Sequence, residues 1–347
     1  MTRIFVTDCE GPLTTNDNAL ELAERFIPDG GDLFARLSRY DDFLADVAHR
    51  PDYNAGDTLR LLPPFLKAFE VTDDDVELFS AEAVLMVPGA QELLRKVTGL
   101  LPSFIISTSY TPYIRALCDL TGFPESNVRC TELRLDAWDV PPDEKEWLRE
   151  QAELVLDREL ITIPEGATSE RDLSQRDRET VALLDDLFWE QMQGRMSGEL
   201  VEAVRPVGGG VKLAALEQIV AEQGAGDGDV MYVGDSITDA PPLNAVKAWG
   251  GVSLSFNGNG YALAAAEFAA ASPDTEVVGH LAAAFEDGGR EAVVRMVSAW
   301  PKAKKGTRPT GKARARVGLV AEEPQALGEA SAASRLNVRG ERIARLG

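Results

Sequence analysis

Several residue types are scarce in this 347-residue sequence, and each scarcity excludes a class of protein. Three cysteines are too few for a disulfide framework in a chain of this length. No apolar run approaches the roughly 18 residues of a transmembrane helix. The first residues, MTRIFVTDCEG, form a short apolar run that ends in acids and do not resemble a secretory signal. We therefore expect a cytoplasmic protein with reduced thiols and no membrane partner.

Positive charge is also scarce, and its distribution is uneven. The formal net charge is −22, yet residues 301–347 contain eleven Lys and Arg against four acids, which leaves residues 1–300 at −29. The strong negative charge of residues 1–300 repels nucleic acid and anionic membranes, and we expect neither as a partner. An anionic ligand would need to be captured by a local cation.

Short apolar runs alternate with helical patterns along the chain. This alternation predicts an α/β fold with a doubly wound, Rossmann-like parallel sheet. Two helical stretches are too long for ordinary connections, so we interpret them as insertions that form a second, helical cap unit. The predicted organisation is a core of residues 1–17, 86–140 and 204–300, helical cap insertions at 18–85 and 141–203, and a basic tail at 301–347.

Composition supports two weaker predictions about the structure of the C-terminal part of the chain. Residues 260–271 are rich in alanine, which predicts a helix. Residues 301–347 are rich in Ala, Gly, Ser and basic residues without a sustained apolar period, which predicts a loosely ordered tail that can be removed at little cost. The alternative is that the basic tail docks on the acidic body.

Reactive side chains follow three of the predicted strands. In open parallel sheets, ligands bind beyond the carboxyl ends of the strands. Each group also has a simpler interpretation, because Asp at a strand end often belongs to a turn and Ser or Thr often caps a helix. The candidates are Asp8 with Glu10, then Ser107, Thr108 and Ser109, then Asp235 with Asp239, and finally Lys212, which follows Gly208–Gly210 at the start of a helix.

The combination and order of these groups are more specific than any one of them. The motifs are FVTDCEGPLTTND, FIISTSY preceded by VPGAQELLRKV, Lys212 in GGGVKLAAL, and VGDSITDAPPL. This set resembles the haloacid dehalogenase-like (HAD) superfamily, and CTELRLD and GGGVKLAAL are similar to its phosphoserine phosphatase-like branch. The layout also resembles a little-studied archaeal-type group, some of whose members are labelled energy-converting hydrogenase A subunit R, although nothing in the sequence looks like a redox or membrane component.

The resemblance implies a Mg²⁺-dependent phosphatase that works through an aspartyl-phosphate. Asp8 would be the nucleophile and Glu10 the general acid and base. Ser107, Thr108 and Lys212 would bind the phosphoryl group. The implied metal-binding residues are Asp8, Glu10 through its backbone carbonyl, Asp235 and Asp239, with Asp239 better suited to orienting Lys212 or a metal-bound water.

One position departs from the pattern, because phosphatases of this superfamily usually carry Asp where this chain has Glu10. The extra methylene alters the reach of the carboxyl group, and small misplacements cost much rate. We favour hydrolysis of a small phosphorylated metabolite, with the helical insertions closing over the site. The alternatives are a catalytically weak HAD-like binding or regulatory subunit and another HAD reaction, such as phosphonate cleavage or phosphotransfer. Neither the substrate nor the oligomeric state follows from the sequence.

Overall fold

The computed structural model describes residues 2–301 and 314–344. Within these residues the chain forms a seven-stranded sheet in the order β3-β2-β1-β4-β5-β6-β7. Strands β1 to β6 are parallel, and β7 pairs antiparallel with β6. The strands are β1 (Ile4–Thr7), β2 (Ser103–Tyr110), β3 (Val128–Thr131), β4 (Val230–Gly234), β5 (Val252–Phe256), β6 (Phe268–Ala271) and β7 (Arg316–Leu319).

Fifteen α-helices lie within the described residues. They are α1 (Asn18–Phe26), α2 (Gly30–Asp42), α3 (Thr58–Leu61), α4 (Pro63–Ala68), α5 (Asp73–Ala83), α6 (Ala90–Leu100), α7 (Thr111–Thr121), α8 (Pro142–Leu156), α9 (Gln175–Asp186), α10 (Met196–Ala203), α11 (Gly209–Gln223), α12 (Ala240–Ala248), α13 (Gly260–Ala265), α14 (Glu276–Ser298) and α15 (Pro324–Ala344). None of the helices described is long and apolar enough to cross a membrane.

The sheet is covered by helices on both faces, as the alternating pattern predicts. Helices α6, α7 and α14 bury apolar side chains on one face, and α11, α12 and α13 on the other. Strand β1 lies in the middle, where all four of its residues are buried. A strand buried on both faces needs the continuous apolar run seen there. The predicted α/β, doubly wound fold is confirmed.

A separate apolar core lies beside the sheet and is built from the two long helical stretches. We call residues 18–83 and 142–203 the helical unit, because side chains from both stretches pack into this one core. Tyr110 at the end of β2 belongs to it, and its hydroxyl donates to the Leu59 carbonyl at 2.6 Å. The helical unit therefore lies over the carboxyl ends of the strands.

Local sequence signals place several helix boundaries. Thr72 caps α5 in a reciprocal pair with Asp75, as a Thr-x-x-acid motif predicts. Asp17 caps α1 by accepting from the Leu20 amide at 3.1 Å. Helices α2 and α9 each continue into a π-helical turn, at Phe43–Val47 and Leu187–Gln191.

Two expectations for the C-terminal part of the chain are wrong. Only residues 260–265 of the alanine-rich stretch are helical, because Phe268–Ala271 forms β6, fully enclosed between β5 and β7. The tail is not loosely ordered where it is described: β7 extends the sheet and α15 follows it. Burial of Val317, Leu327 and Arg335 holds this segment in place. The part of the predicted tail at 302–313 and 345–347 lies outside the described residues.

Candidate active site

The parallel register brings the first and third motifs together. Thr7 at the end of β1 pairs with Val233 near the end of β4 and with Ile105 of β2. Asp8 and Asp235 therefore follow the ends of neighbouring strands, and Ser107 lies beside them within β2, which continues to Tyr110 rather than ending at the serine as expected. The Asp8 amide extends the ladder by donating to the Val233 carbonyl at 2.9 Å.

Lys212 lies between two of the carboxylates. Its ammonium nitrogen is 2.7 Å from Asp8 Oδ2 and 2.8 Å from Asp239 Oδ1, and the side chain is completely buried. A lysine in the first turn of a helix faces an unfavourable dipole, so its position must be stabilised by local anions. Burial disfavours the ammonium, but Asp239 and Asp8 outweigh this effect and raise the pKa of Lys212.

Asp239 is held by hydrogen bonds to both of its oxygens. Oδ1 accepts from Lys212 and from the Tyr232 hydroxyl, each at 2.8 Å. Oδ2 accepts from the amides of Asp235 at 3.0 Å and Ser236 at 3.2 Å. Although burial opposes ionisation, Lys212 and these hydrogen bonds lower the pKa of Asp239. This carboxylate orients Lys212 and shapes the turn after β4.

Asp8 is 5% exposed, and its neighbours have opposing effects on its pKa. Oδ1 accepts from the Cys9 amide at 2.7 Å, while Oδ2 faces Lys212. Burial and the nearby Asp239 carboxylate raise the pKa of Asp8, and the Lys212 ammonium opposes them. A further cation beside Asp8 would favour its ionised form.

Glu10 lies two residues after Asp8, and its side chain reaches the N-terminus of α1. Its Oε1 accepts from the Asn18 amide at 2.8 Å. Burial, followed by the charge of Asp17, raises the pKa of Glu10 to about 8. A carboxyl group that keeps its proton near neutral pH can act as a proton donor.

The second motif contributes hydroxyl groups to the same cavity. Ser107 is 1% exposed and donates to the Ser109 hydroxyl at 3.0 Å. The Thr108 hydroxyl instead donates to the Val207 carbonyl at 3.2 Å, toward the segment that precedes α11. Cys9 points away from the cavity into the sheet core, as strand alternation predicts.

A partly open cavity of about 120 Å³ is lined by the strand ends, the helical unit and α15. The predicted residues Asp8, Glu10, Ser107, Thr108 and Asp235 line it, whereas Lys212 and Asp239 lie behind them. The helical unit contributes Ala19, Phe34, Ser38, Asp41, Asp42, Gly56, Thr58 and Leu59, and α15 contributes Arg335, Arg339 and Ile343.

Three buried carboxylates could hold a metal ion, since oxygens of Asp8, Asp235 and Asp239 lie within 4.8 Å of one another. Asp235 Oδ1 is buried without a hydrogen-bond partner among the described residues. Each Asp8 oxygen has one partner there, whereas each Asp239 oxygen already accepts two hydrogen bonds. Asp8 and Asp235 are therefore the available carboxylate ligands. The Glu10 carboxylate is not part of this cluster.

Sequence reasoning missed the two arginines of α15. Arg335 and Arg339 both form ion pairs with Asp235 Oδ2, the second at 3.2 Å. Their spacing of four residues places both on one helix face, but the same spacing is common on solvated basic helices. The sequence therefore contained no signal that would distinguish them.

Comparison with solved structures finds proteins similar to this chain. Gene product AF1437 from Archaeoglobus fulgidus, whose structure is solved, is 29% identical in sequence to this chain. The superposition covers all of this chain and 99% of that one, with a TM-score of 0.84. A substrate-bound phosphoserine phosphatase is 10% identical, covering 80% of this chain and 97% of its own, at a TM-score of 0.48. That second likeness is too distant to carry an argument. No family model and no curated protein sequence matches the chain.

Proposed function

We propose that this chain is a HAD-like, Mg²⁺-dependent hydrolase that releases phosphate from a small phosphorylated metabolite. The observation that carries the proposal is the buried Asp8–Lys212–Asp239 arrangement, with Lys212 at 2.7 Å from Asp8 and 2.8 Å from Asp239. A buried lysine paired to two carboxylates beside a cavity is suited to binding an anion next to a carboxylate nucleophile.

In the first step, a carboxylate oxygen of Asp8 attacks phosphorus in line with the ester oxygen. The new bond joins Asp8 to phosphorus, and the bond between phosphorus and the ester oxygen breaks. The proton of Glu10 passes to the departing oxygen, which leaves as an alcohol. The high pKa of Glu10, at about 8, supports this assignment because the group enters the step protonated at neutral pH.

In the second step, water attacks the phosphorus of the aspartyl-phosphate. Glu10, now ionised, accepts a proton from that water, and the bond between phosphorus and Asp8 breaks. Inorganic phosphate leaves, Asp8 is again a carboxylate and Glu10 is again protonated. Two easier displacements thus replace one difficult one.

The phosphoryl oxygens would be held by Ser107, Thr108 and Lys212. Ser107 already lines the cavity, and its hydroxyl can exchange the Ser109 hydrogen bond for one to phosphate. Thr108 would contribute after its hydroxyl turns away from Val207. Because residues 1–300 are strongly acidic, a local positive charge such as that of Lys212 is needed to attract an anion.

The residues fit a Mg²⁺ ion, which would be held by Asp8 and the unpartnered Asp235 Oδ1, with the Glu10 carbonyl as a further candidate. When bound, Mg²⁺ supplies charge neutralisation at the phosphoryl oxygens. Asp239 is better assigned to positioning, since each of its oxygens already accepts two hydrogen bonds.

The cavity volume of about 120 Å³ supports a small substrate. Helical residues form one wall, so the helical unit would exclude water and select the substrate, as a cap does. One observation favours the alternative of a catalytically weak binding or regulatory subunit. Arg335 and Arg339 already occupy one oxygen of Asp235, a proposed metal ligand.

The test is phosphate release from a broad panel of phosphate monoesters with Mg²⁺. Asp8→Asn should reduce release to background with the fold intact, and Asp74→Asn, at an exposed position of α5, should leave release unchanged. Glu10→Gln should lose about 10²–10⁴-fold and accumulate aspartyl-phosphate detectable by mass spectrometry. If the wild type and Asp8→Asn release phosphate equally from every ester, the hydrolase proposal is wrong and the binding-subunit alternative is favoured.

A further inference from the structure

The C-terminal segment reaches the candidate active site from the far edge of the sheet. Strand β7 pairs with β6 through residues 316–319, and α15 then runs back toward the strand ends. Leu327 is 1% exposed and lies against Gly318, which anchors the start of the helix. Arg335 and Arg339 follow on the face turned toward Asp235.

Both guanidinium groups are buried at Asp235. Their side chains are 5% and 7% exposed. Arg335 pairs with Asp235 Oδ2 and also donates to the Asp235 carbonyl at 3.3 Å. Arg339 lies 3.2 Å from the same Oδ2 and donates to the Asn16 carbonyl at 2.6 Å. The pair thus joins the turn after β4 to the loop after β1.

Each carboxyl group of the Asp8–Asp235–Asp239 cluster is paired with a cationic side chain. Lys212 pairs with Asp8 and Asp239, and Arg335 and Arg339 pair with Asp235. Two guanidinium groups carry the charge of one divalent cation. A divalent cation bound to Asp235 while both arginines remain would bring three cationic groups together at one carboxylate, and their mutual repulsion is costly at low dielectric.

We propose that Arg335 and Arg339 compete with Mg²⁺ for Asp235, so that α15 is an autoinhibitory segment whose arginines must leave the carboxylate before the metal binds. The proposal rests on the metal site of the proposed function. Arginine side chains are long, and helix α15 is interrupted directly after Arg339 by Gly340, whose φ is 78°. Loss of the Asp235 contacts removes the ion pairs that join this end of the helix to the turn after β4, while Arg339 can still donate to the Asn16 carbonyl.

The test is Mg²⁺ binding by calorimetry with the full chain, using Arg335→Gln/Arg339→Gln. We expect the variant to bind Mg²⁺ at least about tenfold more tightly than the wild type, because two competing charges are gone. Arg314→Gln/Arg316→Gln is the matched control. It removes the same charge from the same segment, at positions paired with Asp274 and Glu323, and should leave the affinity unchanged.

A second measurement on the wild type needs no variant. Hydrogen exchange of the backbone amides at 335–344 should become faster when Mg²⁺ is added. Equal or weaker Mg²⁺ binding in the double variant, or unchanged or slower exchange, would overturn the proposal. Absence of Mg²⁺ binding in every protein would also overturn it, while phosphate release that depends on Asp8 but not on Mg²⁺ would leave the hydrolase chemistry standing.

Discussion

Gly11 lies so close to the carboxylate of Asp235 that no side chain fits between them. A Cβ atom at this position would lie 2.7 Å from Asp235 Oδ1 and closer still to Oδ2. Gly11 also has a φ of 100°, a conformation that other residues rarely adopt. The loop after β1 can therefore approach the turn after β4 only because position 11 is glycine.

Replacing Gly11 by alanine should damage both the backbone and the site. Gly122→Ala is a matched control, because Gly122 has a φ of 73° but open space where its Cβ would lie. We expect Gly11→Ala to lose about 1–3 kcal/mol more free energy of unfolding than Gly122→Ala, owing to the contact with Asp235. Urea unfolding measures the difference. Equal losses in the two variants would mean that Asp235 simply moves aside.

Removing the charge of Lys212 should strongly destabilise the protein. Lys212→Met leaves the buried carboxylates Asp8 and Asp239 without their shared cation, and breaking a buried ion pair in this way costs about 3–5 kcal/mol. Adding Asp239→Asn to this variant should recover part of the loss. Lys247→Met, at an exposed position of α12, should change the free energy of unfolding little. A Lys212→Met variant as stable as this control would contradict the buried ion pair.

Asp57 should make the stability of the helical unit depend on pH. Burial raises the pKa of Asp57 from 3.8 to about 6. The stability that its neutral form contributes is therefore complete below about pH 4 and is lost as the pH rises through 6. Relative to Asp57→Asn, the wild type should lose about 2–3 kcal/mol in free energy of unfolding between pH 4 and pH 7.

Urea unfolding of both proteins at the two pH values measures this change. The exposed Asp52 in the same segment provides the control, since Asp52→Asn should follow the wild type at both pH values. A constant difference between the wild type and Asp57→Asn would show that burial does not hold the proton on Asp57.

Truncation after Trp300 should lower the melting temperature by more than about 5 °C. It uncovers the edge of β6 and removes the Ala315 carbonyl, to which the Trp300 indole donates at 3.1 Å. A smaller shift would support the loosely ordered tail expected from composition.

Packing of α15 can be tested without truncation. Leu327 is 1% exposed and Leu336 is 50% exposed on the same helix. Leu327→Ala should cost about 2–5 kcal/mol, the range for buried leucines, while Leu336→Ala should cost far less. Similar effects of the two substitutions would argue against a docked helix.

The doubly wound parallel sheet and the meeting of Asp8, Ser107 and Asp235 could be predicted, because they follow from local pattern and from the way parallel strands end together. Buried strands are recognisable as short apolar runs, and neighbouring strands end at one edge. The helix boundaries were less certain. Within the predicted helical insertion at 18–85, for example, α3 and α4 are separate helices that meet where Pro63 and Pro64 begin the second one.

The C-terminal region shows where local pattern fails. Alanine favours helices, yet Ala269–Ala271 lie in β6, where they are buried and paired with β5 on one side and β7 on the other. Propensity is a weak preference that such packing overrides. The basic residues after position 300 look like a solvated charge run, and nothing local to them indicates that two are buried at Asp235.

By itself, then, the sequence determined the α/β sheet and the strand-end carboxylates, because each depends on residues close in the chain or on register between adjacent strands. Lys212 was assigned a role only through the family resemblance, and its burial between Asp8 and Asp239 comes from the structure. Only the tertiary structure decided that α15 would close the site and that Arg335 and Arg339 would share Asp235. That outcome depends on edge pairing of β7 with β6 and on charge neutralisation between Asp235 and a residue 100 positions away. Such long-range pairing has no local signature, since the free energy that selects it arises only when the folded surfaces meet.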